Sequence, residues 1–148
     1  MKMLCRSVFL LLVFHLASCG GGGDSGSSTG PTVYLAGYVI DGTDSSNRKA
    51  CAWVNGTRTD LPGGTPSEAS SLAVYNGNTY AAGFYTVAGN TMACYWIGDT
   101  KYDLATESGK YSRAGAIQVV AGTVYAAGTH DGKACVWING TRTDIEVT

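Results

Sequence analysis

The chain has 148 residues, with 10 Lys and Arg against 11 Asp and Glu and a formal net charge of −1. That length holds one domain at most, and charged residues at 14% without a basic run argue against a nucleic-acid binder. The 21 glycines and 9 tyrosines, with plentiful Ala and Thr, suit a β-rich exported repeat protein and not a helical one.

Lys2 and Arg6 open the chain, an apolar run from Val8 to Phe14 follows, and Leu16-Ala17-Ser18-Cys19 stands just behind it. This pattern predicts a secretory signal peptide over residues 1–18, too short for a membrane span and followed by small residues. The Leu-Ala-Ser-Cys end resembles a bacterial lipobox. The resemblance implies cleavage just before Cys19, a diacylglyceryl group on its sulfur and acylation of the new N-terminus. Several acyl chains on one residue anchor firmly, since each buried CH₂ contributes roughly 0.8 kcal/mol. Gly20 to Gly23 and Asp24-Ser25-Gly26-Ser27-Ser28-Thr29-Gly30 then read as a flexible tether, residues 19–32, holding a domain off a bilayer. Gly20 is not the aspartate associated with inner-membrane retention in enteric bacteria. The expected location is therefore the bacterial cell envelope, at the outer membrane, with the lipid on Cys19 as the membrane contact. Loss of Lys2 and Arg6 with the leader leaves 8 basic against 11 acidic side chains.

Beyond the tether the chain repeats itself three times. Val33-Tyr34-Leu35-Ala36-Gly37 returns as Thr79-Tyr80-Ala81-Ala82-Gly83 and as Val124-Tyr125-Ala126-Ala127-Gly128. A second phrase follows each: Ala50-Cys51-Ala52-Trp53, Ala93-Cys94-Tyr95-Trp96 and Ala134-Cys135-Val136-Trp137. Thr59-Asp60-Leu61, Tyr102-Asp103-Leu104 and Thr143-Asp144-Ile145 close the units. The tyrosines stand 46 and 45 residues apart, a period that means stacked supersecondary units.

Within a unit, Asn55-Gly56 and Asn139-Gly140 separate extended runs and predict tight hairpins, because both residues tolerate positive φ. Gly98-Asp99 takes that place in the middle unit. A second hairpin joins Ser71–Tyr75 to Thr79–Ala82 through Asn76-Gly77-Asn78, and its copy joins Ala116–Val120 to Val124–Ala127 through Ala121-Gly122-Thr123. One period thus reads as four short antiparallel strands, here called a to d, and no segment has helical periodicity. Four strands in about 45 residues is the period of a β-propeller blade. A flat sheet or a sandwich is the other architecture open to such a pattern.

The unit resembles the kelch-like propeller repeats, in which a Tyr-containing strand ends in glycine and a tryptophan follows on the next strand. It departs from them in carrying one glycine (Gly37, Gly83, Gly128) where kelch has two. It looks closer to the Tyr-Ala-Gly, Ala-Cys-x-Trp repeats of bacterial lipoproteins to which no activity is attached; that resemblance implies a fold and an anchor only. The predicted fold is all-β, with propeller-type repeats over 33–148 (33–61, 68–104 and 114–148). This makes eleven strands, roughly 2.75 blades, the first lacking its inner strand. Closed propellers have at least four blades. The shortfall leaves three readings: a truncated, non-functional piece of a longer propeller, a homodimer closing a six-bladed ring, or an open arc.

Candidate chemistry is sparse. Cys51, Cys94 and Cys135 share one repeat position and one face with the tryptophans. Equivalent points on neighbouring blades are expected to exceed the roughly 7 Å between Cα atoms that a disulfide spans, and no Cys-x-x-Cys or partnering histidine suggests zinc. Buried small hydrophobes are the expected role. Asp60, Asp103 and Asp144 are expected to bond turn backbone. Asp41-Gly42-Thr43-Asp44 hints at calcium without the ligand spacing of known loops. His130, beside Asp131, reads as a solvated loop residue, and no nucleophile motif accompanies it. Asn55-Gly56-Thr57 and Asn139-Gly140-Thr141 match a glycosylation sequon but read better as turns. No catalytic residue, metal or cofactor is assigned.

Loop length carries the remaining signal. The b–c connections vary, with 14, 11 and 7 positions from the strand-b glycine to the cysteine, and the d–a connections are long. In a meander both loop classes emerge at one end, and variable loops on a rigid scaffold are where binding tends to live. The candidate contacts are Arg48, Lys49, Glu68, Tyr85, Glu107, Lys110, Tyr111, Arg113 and His130. The expected function is non-catalytic binding or scaffolding of a protein or glycan ligand. The alternative is a carbohydrate-acting enzyme with Asp131 and Glu107 as its carboxylates.

Overall fold

The computed structural model describes residues 13–14 and 31–145. Cys19, the lipobox, nearly all of the expected leader and most of the tether lie outside the described residues. Within them the protein is all-β, three four-stranded antiparallel meanders with one short 3-10 turn. Sheet 1 runs β1 (Val13–Phe14), β2 (Val33–Ile40), β3 (Arg48–Val54), β4 (Thr57–Asp60). Sheet 2 runs β5 (Ser67–Tyr75), β6 (Asn78–Val87), β7 (Asn90–Ile97), β8 (Thr100–Asp103). Sheet 3 runs β9 (Ser112–Val120), β10 (Thr123–His130), β11 (Lys133–Ile138), β12 (Thr141–Asp144).

Paired positive φ angles make the turns. Asn55 and Gly56 stand at 49° and 82°, Asn76 and Gly77 at 49° and 76°, Asn139 and Gly140 at 47° and 85°. This is the backbone that two-residue hairpins with right-twisted strands require. The asparagines add a second contribution. Asn55 Oδ1 accepts from Val33 N–H at 2.8 Å and Asn139 Oδ1 from Val124 N–H at 2.9 Å, tying the c–d turn to the start of strand b. That is the work of both sequon-like asparagines.

Two expectations change. The first sheet does have an inner strand, two residues long: Val13 and Phe14 pair with Tyr34 and Val33, in the register by which Ala73 and Val74 pair with Tyr80 and Thr79. The bare edge of β2 offers unpaired N–H and C=O groups that an extended apolar segment satisfies. The variable b–c loops are also mostly absent. Ala88-Gly89 and Asp131-Gly132 are two-residue turns, and the extra sequence becomes strand, so that β6 reaches 10 residues and β7 reaches 8. Only sheet 1 keeps a loop, residues 41–47. There Asp44 accepts from Ser46 N–H at 2.8 Å and Asp41 pairs with Lys49 at 3.2 Å, which occupies both carboxylates of the calcium-like stretch.

Two apolar cores join the sheets face to face in a row. Between sheets 1 and 2 lie Ala36, Ala50, Ala52 and Leu61 against Ala69, Leu72, Ala81, Tyr85, Cys94 and Trp96. Between sheets 2 and 3 lie Ala82, Ala93 and Leu104 against Ala114, Ile117, Val124, Ala126, Cys135 and Trp137. Neither core joins sheet 1 to sheet 3, so the row does not close. Alanines on one side let the next sheet approach, and Trp96 and Trp137, both 0% exposed, fill the space. Burying one such ring contributes on the order of 5 kcal/mol of transfer free energy.

The joints repeat in their polar contacts too. Trp96 Nε1 donates to Pro62 O at 2.7 Å and Trp137 Nε1 to Ala105 O at 2.9 Å. Each carbonyl belongs to the residue just past the Leu that ends the preceding sheet. Ala50 N–H donates to Ser67 Oγ at 3.0 Å, and Ala93 N–H to Ser112 Oγ at 2.9 Å. These bonds cross from one sheet to the next, so buried main-chain groups are satisfied by their neighbour and not by their own ladder.

The repeat glycine has a steric cause. A Cβ at Gly83 would fall on the Glu68 carbonyl oxygen, and one at Gly128 on that of Arg113. Strand a bulges there, between Ala69 and Ser71 in sheet 2 and opposite Ala127 and Gly128 in sheet 3, and its main chain fills the side-chain space.

Candidate functional site

The strand registers place the nine candidate residues at one end of the sheets, where strands a and c begin, strand b ends and the inter-sheet connections cross. Glu107, Lys110 and Tyr111 lie in a connection. Arg48 and Lys49 open β3, while Glu68, Tyr85, Arg113 and His130 lie within β5, β6, β9 and β10. These six stand on strand ends, because the chain spends its variable length on longer hairpins.

The nine divide into separate clusters. The first surrounds Phe84, a residue 1% exposed in β6. The Arg113 guanidinium lies 3.9 Å from its ring centroid and 5.2 Å from that of Tyr111. Arg48 approaches the same ring at 5.6 Å and Tyr38 at 5.5 Å, and it pairs with Glu68 at 3.3 Å. Cation–π contact of this kind strengthens as water is excluded. Among the described residues Arg113 has no carboxylate partner. The Nε atoms of Arg48 and Arg113 are buried without an acceptor. The cluster therefore holds two guanidinium groups and one carboxylate.

The second cluster docks the connection after β8 onto sheet 3. Arg142 holds Glu107 at 2.8 Å and Asp144 at 2.9 Å, and Lys110 holds Asp131 at 2.7 Å. His130 is 3% exposed and not solvated as expected, because this connection covers it. Its Nε2 faces the Glu107 N–H at 3.2 Å and its Nδ1 faces Arg142 Nη1 at 2.8 Å. A neutral imidazole has one acceptor nitrogen, so only one of these donors is served at a time. Hydrogen bonding to Arg142 holds the Glu107 carboxyl below its ordinary value, and Lys110 does the same for Asp131.

Tyr85 belongs to a third group. It is 6% exposed, with the Lys101 ammonium 3.5 Å from its ring centroid, and burial raises its phenol. Lys49 stands apart, paired with Asp41.

Among the described residues the repeated aspartates bond no turn backbone. Each pairs with a cation two residues earlier on the same strand face: Arg58 with Asp60 at 2.8 Å, Lys101 with Asp103 at 2.7 Å, Arg142 with Asp144 at 2.9 Å. Across the ladder each aspartate faces the repeat cysteine and each cation the repeat tryptophan. Charged outer strands only four residues long discourage edge-to-edge pairing. The cysteines are free and 0–1% exposed. Burial, with help from Asp60, pushes the Cys51 thiol up to about 12, and burial raises Cys94 and Cys135 as well. Among the described residues no three His, Cys, Asp or Glu side chains gather as a metal site.

Sequence reasoning missed Phe84, Tyr38, Lys101 and Arg142. The basic residue two before each repeat aspartate was a readable signal. Phe84 had none, since Tyr38 and Thr129 hold its place in the other units. No protein-family model, curated protein or solved structure matches this chain.

Proposed function

We propose that this chain is a lipid-anchored bacterial envelope protein whose role is to bind a ligand without transforming it, its three sheets being propeller-type blades of which the first keeps three strands (β2 to β4) once cleavage before Cys19 removes Val13–Phe14. The observation that carries the binding reading is the Phe84 cluster, where the Arg113 guanidinium lies over the rings of Phe84 and Tyr111 and, among the described residues, is paired with no carboxylate. A guanidinium held rigid by aromatic faces recognises a carboxylate or sulfate with little further ordering cost. The ligand is accordingly an acidic glycan or an acidic protein segment. Support for the anchor comes from Leu16-Ala17-Ser18-Cys19 and the Gly/Ser stretch behind it. Against a glycan-acting hydrolase stands the state of Glu107 and Asp131. A general acid needs a raised carboxyl, and both are lowered by cations that hold them.

The test is binding of the full chain, in detergent micelles, to an array of neutral and uronate-bearing glycans and acidic peptides. Selective retention on acidic probes, lost in Arg113→Gln, is the expected result. Retention that Arg113→Gln leaves unchanged, or no retention on any probe, overturns the reading.

A further inference from the structure

We propose that the chain pairs head to tail with a second copy of itself, the uncovered face of sheet 3 docking on sheet 1 of the partner, and the reverse contact closing the pair. Each sheet has a leading face turned toward the next sheet. Its Leu or Ile, past strand d, reports whether that face is covered. Leu61 is 5% and Leu104 3% exposed, whereas Ile145 is 53% exposed. The strand-c alanines agree, with Ala50 and Ala93 at 0% and Ala134 exposed. Tyr125, on the same face, is 39% exposed. Ala50 and Ala93 give their N–H groups to a serine of the following sheet; among the described residues Ala134 N–H has no such serine.

The complementary face is present in the same chain. The trailing faces of sheets 2 and 3 present Cys94 with Trp96 and Cys135 with Trp137, both already seated on a leading face. Sheet 1 has Trp53 at that place, next to a Cys51 that is already fully buried. Trp53 is half-buried where Trp96 and Trp137 are fully buried. Among the described residues its indole N–H lacks the main-chain acceptor that Pro62 and Ala105 supply to the others. The two joints inside the chain are thus templates for a third. An apolar face beside an open flank favours association, and the contact is heterologous, so it either closes or propagates. Two copies bring six sheets together, within the range of closed radial folds. This inference is independent of what the Phe84 cluster binds.

Light scattering on the full chain in detergent micelles, corrected for detergent, tests it. The expected mass is twice that of one chain, falling to one chain in Ile145→Asp and in Trp53→Arg. Circular dichroism of each variant shows whether its sheets remain. Mixing the two variants is expected to restore a two-chain species, since one intact leading face and one intact trailing face survive. This arm also holds if either variant alone is weakly folded. A monomeric native chain overturns the proposal. So does a Trp53→Arg variant that still pairs by itself, which would mean like faces meet, and so does a continuous polymer, which would mean the contact does not close.

Discussion

Gly83→Ala perturbs the joint between strands a and b at its tightest point. Gly83 pairs with Ala69 on one side and Cys94 on the other. A methyl group there meets the Glu68 carbonyl group and lies 3.0 Å from Ala69 Cα. All these atoms are main chain, so no side-chain rotation relieves the overlap, and β5 has to move away from β6. Overpacking costs about 1–3 kcal/mol, and each ladder bond weakened around the bulge adds roughly 0.5–1.5 kcal/mol. Relief of glycine's chain entropy offsets only about 0.5–1 kcal/mol. The net loss is about 1–4 kcal/mol, a large share of the roughly 5–15 kcal/mol that holds a domain folded. Gly115 is the control. It lies in β9, and its added Cβ meets nothing nearer than Ala127 O at 3.9 Å. Gly115→Ala is expected to change stability by less than about 0.5 kcal/mol or to raise it. Urea denaturation followed by tryptophan fluorescence compares the two. Equal midpoints for Gly83→Ala and Gly115→Ala would refute the steric account of the repeat glycine.

Trp137→Phe removes the bond to Ala105 O and leaves space in a fully buried site, for a loss of about 2–4 kcal/mol; an unchanged thermal midpoint would mean the inter-sheet bond carries nothing. Ser112→Ala strands the Ala93 N–H in a core where Ala93 is 0% exposed, and chemical denaturation is expected to show a loss of about 1–3 kcal/mol. Cys51, Cys94 and Cys135 are expected to resist alkylation in the native chain at neutral pH and to react fully in urea, read by peptide mass spectrometry; native labelling would contradict their burial. Their folded pKa values are raised, so the stability they contribute is fully present below the unfolded value near 9.0 and is lost as pH rises through the folded values, with the Cys51 share gone by about 12. Cys51→Ala should lessen that alkaline decline, leaving the share of Cys94 and Cys135. Glu107 has a lowered carboxyl, so its tie to Arg142 persists above the ordinary carboxylate range and is lost as pH falls through the lowered value. Acid, or Glu107→Gln, is expected to expose the 104–111 connection to limited proteolysis, and equal cleavage at neutral and acid pH would argue against the tie.

The local elements follow from the amino-acid order alone. Period, turn residues and strand alternation are short-range properties, and Asn55-Gly56, Asn76-Gly77 and Asn139-Gly140 specify their hairpins through backbone conformation alone. The burial of Cys94, Cys135, Trp96 and Trp137 was legible too, because a repeated apolar position every 45 or so residues has to face a neighbouring unit. The rest depends on contacts between units. His130 is buried because a connection from the previous sheet folds over it. Asp60, Asp103 and Asp144 serve cations on their own strands, since those cations stand against the tryptophans of the adjacent strand. The expected b–c loops became strand because hydrogen bonding in the ladder favours extending a hairpin over leaving its backbone unpaired. Arg48 and Arg113, far apart in sequence and on different sheets, meet at one ring only because sheet 2 lies between theirs and lifts Phe84 to their shared end. Each unit can write its own strands; which of its residues become a site is set by the unit packed against it.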